Sequence, residues 1–239
     1  MPGRARVTPK RPASVRRSGE PRKPVPPSAL APATVEDHDL EAESTFDKFG
    51  FFELDLSGRR AESVEFSQCR FRAADLSGSE LTKLKLSDCL VETSNWANLR
   101  AEGGAATRVK VLDSRMTGLA WTDGLLRDVS FEQVRLDLSG WRFASFDAVR
   151  FSACNLRSAD FTNADLRGAQ FVGCDLTGAQ FSQATMDGAR FRSCVLVDIA
   201  GITSWTGAVV DQGDLIALSY ALAGALGIRI AGDDQPHRR

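Results

Sequence analysis

Residues 151–195 decide the fold: in groups of five they read FSACN, LRSAD, FTNAD, LRGAQ, FVGCD, LTGAQ, FSQAT, MDGAR and FRSCV. The first residue of each group is Phe, Leu or Met, and the fourth is Ala or Cys. An amphipathic helix requires apolar residues every 3.6 positions, and a half-buried strand requires them every second position. The stretch fits neither period. It predicts a coil built from five-residue sides, each pointing one large and one small side chain inward.

The same register extends well beyond this stretch. Large positions recur every five residues from Phe46 to Leu196, and all thirty-one of them are apolar. Every fourth large position carries a similar residue, as in the series Phe51, Phe71 and Phe151. Residues twenty apart are therefore expected to stack, which requires four sides per coil. At a strand spacing of about 4.8 Å, the register predicts seven to eight stacked coils.

Several groups resemble a known repeat. ADLSG at 74–78, ADFTN at 159–163 and ADLRG at 164–168 are similar to the repeat of the pentapeptide-repeat family, Ala-(Asp or Asn)-Leu-x-x. The resemblance covers residues 46–200, about two thirds of the chain. It implies an all-β fold, a right-handed quadrilateral parallel β-helix with the large and small residues inside. It implies no particular activity, because most members of the family have none assigned.

The N-terminal segment differs from the repeats in composition. Residues 1–34 contain eight Lys or Arg and one acid, Glu20, whereas residues 35–45 contain five acids and no Lys or Arg. With many prolines and few apolar side chains, residues 1–45 are predicted to be a disordered tail. The basic part is interpreted either as a solvated extension or as an arm for weak nucleic-acid binding. The acidic part, with an exposed His38, is expected to shield the first coil or to pair with the basic arm.

Residues 201–230 leave the repeat and predict a C-terminal cap. Trp205 is expected to cover the open end of the stack. Asp211 is a candidate N-cap for a helix over about 212–226, which Gly227 ends. Four leucines would line one face of that helix: Leu215, Leu218, Leu222 and Leu226. The helix and its LGI ending are similar to those of many actinobacterial members of the family, and the face is expected to cap the solenoid or to form a homodimer. Residues 231–239 are expected to fray.

Two places break the inward pattern. Arg59 stands at a small position, and because an unpaired buried Arg is costly, its side chain is expected to turn outward to solvent. Residues 97–126 reverse the usual sizes, with alanine at large positions and leucine or valine at small ones. Trp96, Trp121 and Trp141 fall at large positions in or beside this zone. The zone is interpreted either as a core locally widened for tryptophan or as a groove that recognises a partner.

The residues that commonly carry chemistry do not form a site in this sequence. The two histidines, His38 and His237, lie in the tails, and no phosphate-binding, nucleophile-elbow or metal-ligand motif is present. The five cysteines all occupy small inward positions and are expected to be buried, reduced thiols: Cys69, Cys89, Cys154, Cys174 and Cys194. No catalytic residue, cofactor or metal is therefore predicted, and the protein is not expected to be an enzyme.

These observations favour a non-catalytic scaffold or interaction rod of unknown protein partner. The chain has no apolar run long enough to span a membrane and no secretory signal, so a cytoplasmic location is predicted. The family's quinolone-resistance proteins imply an alternative, a rod that mimics DNA and binds DNA gyrase or topoisomerase. That alternative is not favoured, because residues 46–200 contain 21 acids and 19 bases and no side is strongly acidic. A nucleic-acid-associated protein acting through residues 1–34 is the other alternative.

Overall fold

The computed structural model describes residues 19–228. They form a parallel β-solenoid of about nine turns with one C-terminal α-helix, which confirms the β-helix predicted from the sequence. The strands are β1 Ala31–Pro32, β2 Thr45–Asp47, β3 Phe49–Phe52, β4 Arg60–Glu62, β5 Glu65–Ser67, β6 Arg70–Arg72, β7 Glu80–Thr82, β8 Lys85–Ser87, β9 Leu90–Glu92, β10 Ala105–Leu112, β11 Leu125–Glu132, β12 Ser145–Ser152, β13 Gln170–Val172, β14 Arg190–Arg192 and β15 Val209–Val210. Two 3₁₀ helices, Ile202–Ser204 and Gln212–Asp214, precede the α-helix α1, Leu215–Ala225.

Residues twenty apart pair in parallel from Thr45 to Ala200. Val111 lies opposite Phe131, and Phe131 lies opposite Phe151. We call the four sides face 1 to face 4, in chain order from the side that carries Phe51. The stack is slightly longer than the seven to eight coils predicted, because β1 and β15 add rungs on face 1 outside the five-residue register.

The corners explain the period of five. From residue 48 to residue 198, the residue two positions after each large residue has a positive φ, for example Asn163 at 59° and Gly168 at 75°. The left-handed region is costly for most L-residues, and Gly, Asn and Asp tolerate it best. Each corner also gains a ladder bond, as when the Asn163 N–H donates to the Ser182 carbonyl at 3.0 Å. The chain therefore turns once every five residues.

The core consists of columns of side chains that run along the axis. In the regular coils, Phe171 stacks between Phe151 and Phe191 with ring centroids 5.1 and 4.8 Å apart. On face 3, Phe161 stacks on Phe181 at 5.2 Å. Each of these rings is buried. The twenty-residue similarity in the sequence thus corresponds to like-on-like stacking, which favours offset aromatic contact.

The N-terminal segment departs from the predicted disorder where the structure describes it. Residues 19–30 run along the solenoid, and β1 pairs with β3 through the Ala31 N–H and the Lys48 carbonyl at 2.9 Å. Leu40 is buried over the first coil. These contacts cover an edge that would otherwise leave backbone groups of the first coil unpaired. The disorder predicted for residues 1–18, the fraying of 231–239 and His237 fall outside the described residues.

Arg59 behaves as the sequence predicts. Its side chain turns outward with 33% of its surface exposed, and its Nε donates to Asp39 Oδ1 at 2.6 Å. Asp39 belongs to the acidic segment, so this ion pair also ties that segment to the first coil. The buried Ser79 of the next coil lies beside this position. Its Oγ accepts the Arg59 backbone N–H at 3.0 Å.

The indole ring of Trp205 and the carboxylate of Asp214 close the C-terminal end of the solenoid. Trp205 stacks on Phe191 at 4.4 Å and covers the last coil, as predicted. Asp211 does not act as a side-chain cap, because no hydrogen bond joins its carboxylate to the helix; it forms an ion pair with Arg192 at 3.3 Å instead. Asp214 is buried, and its Oδ2 accepts the backbone N–H of Cys194 at 3.1 Å. Asp214 lies twenty residues after Cys194, so it supplies the acceptor that another coil would have provided.

The α-helix packs less tightly than the leucine pattern predicts. Leu218 is buried against the end of the stack, whereas Leu215, Leu222 and Leu226 are exposed. Ala217 and Ala221 pack against the core beside Leu218, so the face of the helix that meets the solenoid carries two alanines and one leucine instead of four leucines. None of the helices in residues 19–228 is long and apolar enough to cross a membrane.

Candidate functional site

The described residues contain no cluster that resembles a catalytic or metal centre. Within residues 19–228, no group of three or more His, Cys, Asp or Glu side chains could hold a metal ion. His38 is half-buried rather than exposed: its ring lies 4.5 Å from that of Phe49, and its Nδ1 accepts the Thr34 N–H at 3.3 Å. This histidine therefore holds a turn of the N-terminal segment.

The cysteines form columns inside the solenoid. All five are free and buried. Burial raises the pKa of Cys69 to about 11 and that of Cys89 to about 12. The Sγ of Cys89 donates to the Phe66 carbonyl at 3.4 Å. A thiol that is buried and protonated is a poor nucleophile and metal ligand, so Cys69 and Cys89 act as small core side chains. A hydrogen bond with Cys174 lowers the pKa of Cys154.

The tryptophan zone lies inside the molecule. Trp96, Trp121 and Trp141 are all buried, and they line an apolar cavity of about 20 Å³ at the centre of the solenoid. The Trp121 ring leans over the backbone of Gly104 and Gly124, where a methyl group on Gly124 would lie 2.4 Å from its Nε1. The zone is therefore a core widened for indole rings, with glycine at the two small positions beside Trp121, and its cavity lies inside the solenoid.

The charged side chains of the faces form ion pairs between neighbouring coils. Arg127 pairs with Asp147 at 3.0 Å, and Arg108 pairs with Asp88 at 2.5 Å. Other pairs repeat the arrangement: Arg60 with Glu80, Arg70 with Glu92, Lys110 with Glu132 and Arg157 with Asp175. Alternating charges at this spacing cancel at a distance, so they do not produce a dense negative field.

The N-terminal segment forms a docked arm, residues 19–30, along the corner between face 4 and face 1. Arg22 binds Asp128 through its backbone N–H at 3.1 Å and its Nε at 2.8 Å. The Val25 N–H donates to Asp88 Oδ1 at 3.1 Å. Only 7% of the Asp128 side chain is exposed, so this contact is the most enclosed charge pair of the arm.

Burial alone would raise the pKa of Asp128. The hydrogen bonds and charge of Arg22 outweigh that effect, and the pKa lies below its ordinary value. No motif predicts this contact, because the two residues are 106 positions apart and neither belongs to one. This ion pair holds the arm in a defined position on the solenoid.

The C-terminal helix exposes several large apolar side chains. Its eleven residues, LIALSYALAGA, contain no charge. Ile216 is 75% exposed and Leu226, at the end of the helix, is 73% exposed, while Leu218 is 8% exposed. An open groove of about 970 Å³ lies between the helix and the last coil. Contiguous exposed apolar surface of this kind usually marks an interaction site.

Comparison with known proteins agrees with the repeat pattern. A family model described as pentapeptide repeats matches in eight copies, at residues 53–90, 144–182, 154–192 and 174–198. Among solved structures, QnrB1, described as a plasmid-mediated fluoroquinolone resistance protein, is 19% identical over 77% of this chain and 100% of its own, with a TM-score of 0.33. HetL from Nostoc, a pentapeptide-repeat protein involved in heterocyst differentiation regulation, is 19% identical over 72% of this chain and 91% of its own, with a TM-score of 0.24.

A comparison with curated protein sequences gives no match. The repeat model, the register of five and the stacked parallel coils nevertheless agree with one another. On these grounds the repeats of this chain, at residues 53–90 and 144–198, are pentapeptide repeats.

Proposed function

We propose that this protein is a non-catalytic interaction rod that pairs with a second copy of itself through its C-terminal helix. The observation that carries the proposal is the exposed, uncharged surface of α1. The solenoid then acts as a rigid spacer whose faces remain available to a further protein partner. The cytoplasmic location stays a prediction from the sequence.

A second copy is the occupant that the helix surface fits best. Keeping apolar surface in water costs about 25 cal/mol per Å², so exposed Ile216 and Leu226 favour association. A twofold arrangement brings the same patch together from both chains, and such a contact is self-complementary only when like charges do not meet. The helix contains no charge, which removes that obstacle. The groove beside Ile199 and Tyr220 would receive the apolar side chains of the partner helix.

The gyrase-binding alternative has less support from the surface. A protein that mimics duplex DNA needs a continuous negative field. Here carboxylates such as Asp147 and Glu80 pair with arginines one coil away. A supercoiling assay decides this alternative: inhibition of gyrase at micromolar protein would restore it, and unchanged supercoiling would exclude it.

The nucleic-acid alternative loses one of its basic residues to the fold. Arg22 forms an ion pair with Asp128, so part of its positive charge is already compensated. Binding to duplex DNA that weakens steeply with salt, as phosphate contacts require, would support this alternative. Salt-independent behaviour of the full chain would argue against it.

The molar mass of the full chain in solution tests the proposal. Light scattering after gel filtration should give a dimer for the wild type and a monomer for the double variant Ile216→Glu, Leu226→Glu. The variant Leu138→Glu is the matched control, because Leu138 is also an exposed leucine but lies at a corner in the middle of the rod. A monomeric wild type, or a dimer that survives both helix substitutions, would overturn the proposal.

A further inference from the structure

A column of polar side chains on face 1 forms a second surface, which shares no residue with the groove beside α1. Arg150, Gln170 and Arg190 occupy equivalent positions on three successive coils, in register with one another. Arg192 lies on the same rung as Arg190 and two residues further along. These four residues line an open groove of about 260 Å³, together with Phe171 and Val172.

The docked arm already occupies part of this groove. The Gly19 carbonyl accepts a hydrogen bond from Gln170 Nε2 at 3.3 Å, and the Glu20 carboxylate pairs with Arg150 Nη1. Glu20 is the only acid in the first 34 residues of the sequence, and its carboxylate forms an ion pair with Arg150. The arm therefore shows what the groove recognises, namely an extended backbone with a carboxylate side chain.

The arm leaves the far end of the column unfilled. Within residues 19–228, Arg190 forms no ion pair, and Arg192 pairs only with Asp211 at the rim, at 3.3 Å. The sequence before Gly19 reads SVRRS and supplies no carboxylate. The groove is thus more basic than its present occupant can neutralise.

The spacing of the column defines a ligand. Arg150 and Arg190 are two coils apart, which is roughly 9.6 Å at strand spacing. Three residues of extended chain cover about the same distance. The docked arm follows this rule, since Arg22 and Val25 contact Asp128 and Asp88, which are also two coils apart. An acidic residue three positions before the equivalent of Glu20 would therefore reach Arg190.

We propose that Arg150, Gln170, Arg190 and Arg192 form a recognition site for an extended acidic segment of a partner protein, with two carboxylates three residues apart. Glu20 is then a weak internal occupant that such a segment displaces. The proposal goes beyond self-association through α1 and uses a different face. The Ile216→Glu, Leu226→Glu variant should retain this site, so the two proposals fail independently.

Two labelled peptides test the site by fluorescence anisotropy with the full chain. One peptide carries the natural sequence of residues 17–27, RSGEPRKPVPP, and the other, ESGEPRKPVPP, places a glutamate three positions before the existing one. The second peptide should bind about two- to fivefold more tightly, since that is the usual contribution of one exposed ion pair. Equal binding of the two peptides, or no binding, would overturn the proposal.

Variants of the protein assign the effect to named residues. Arg190→Gln should abolish the difference between the peptides, and Arg190→Lys should keep most of it. Arg72→Gln is the matched control, since Arg72 is on the same face but packs over the Phe52 ring instead. Glu20→Gln should strengthen binding about twofold to fivefold by weakening the internal competitor. An unchanged difference in Arg190→Gln would contradict the proposal, as would an Arg190-dependent binding of duplex DNA without peptide discrimination.

Discussion

Residues 127–200 and residues 97–126 follow the same register but fill the core in different ways. In the first region, Phe rings stack at about 5 Å along a column, and alanine or cysteine fills every small position from Cys154 to Cys194. In the second, Ala106 stands at a large position, Trp121 leans over glycine, and a cavity of about 20 Å³ remains. The corners and the ladder bonds are the same in both. The backbone therefore sets the register, and the inward side chains only have to fill the volume.

The largest expected difference in stability between the two regions comes from replacing a large inward residue of face 1 by alanine in each of them. Phe171→Ala should reduce the free energy of unfolding by about 3–5 kcal/mol, because the ring is buried between two others. Val111→Ala, in the same column beside the cavity, should reduce it by about 1.5–3 kcal/mol. Urea unfolding of both variants measures this, and equal losses would remove the distinction.

The second expected effect concerns the room made for Trp121. Gly124→Ala should destabilise the fold by about 1–3 kcal/mol, since the new methyl group would lie 2.4 Å from the indole Nε1 and 2.8 Å from the Gly104 carbonyl. Combining it with Trp121→Phe should recover part of the loss, giving a favourable coupling in a double-mutant cycle. Strictly additive losses would show that the glycine is not there for the indole.

A smaller difference in stability is expected when a valine replaces an inward alanine in each region. Ala164→Val, in the tightly packed region, should cost about 1–3 kcal/mol through overpacking. Ala106→Val, which lines the cavity, should be neutral or stabilising by about 0.5–2 kcal/mol, as cavity filling commonly is. Thermal unfolding of the pair reports the sign, and a destabilised Ala106→Val would show that the cavity has no usable space.

The smallest effect is expected where the arm crosses the regular region. The folded pKa of Asp128 is depressed, so its contribution is fully present above the ordinary Asp value and is lost as the pH falls through the folded pKa. Protection of the Arg22 amide, which donates to Asp128, should therefore decrease below about pH 4. Arg22→Gln should raise the pKa of Asp128 and move this loss to higher pH, as a carboxyl NMR titration would record. A titration that does not respond to the substitution would separate the arm from Asp128.

The five-residue period of the sequence predicted the features that depend only on local spacing. The register, the stacked phenylalanines, the outward Arg59 and the covering Trp205 all follow from which residue types can point inward at a given spacing. The sequence did not predict the contact of Arg22 with Asp128, because that contact depends on the path of the arm over six coils. Nor did the sequence predict that Asp214 would accept the Cys194 N–H, because an aspartate at this position is also typical of the first turn of a helix. The exposure of Leu222 depended on how the short helix crosses the end of the solenoid, which its own periodicity does not determine.

Hydrogen exchange in residues 215–225 as a function of protein concentration tests the central claim most directly. If α1 pairs with the helix of a second copy, its amides should become more protected as the concentration rises, while those of β12 in the core should not change. The Ile216→Glu, Leu226→Glu variant should lose this dependence. Exchange in the helix that is fast and independent of concentration in the wild type would contradict the account.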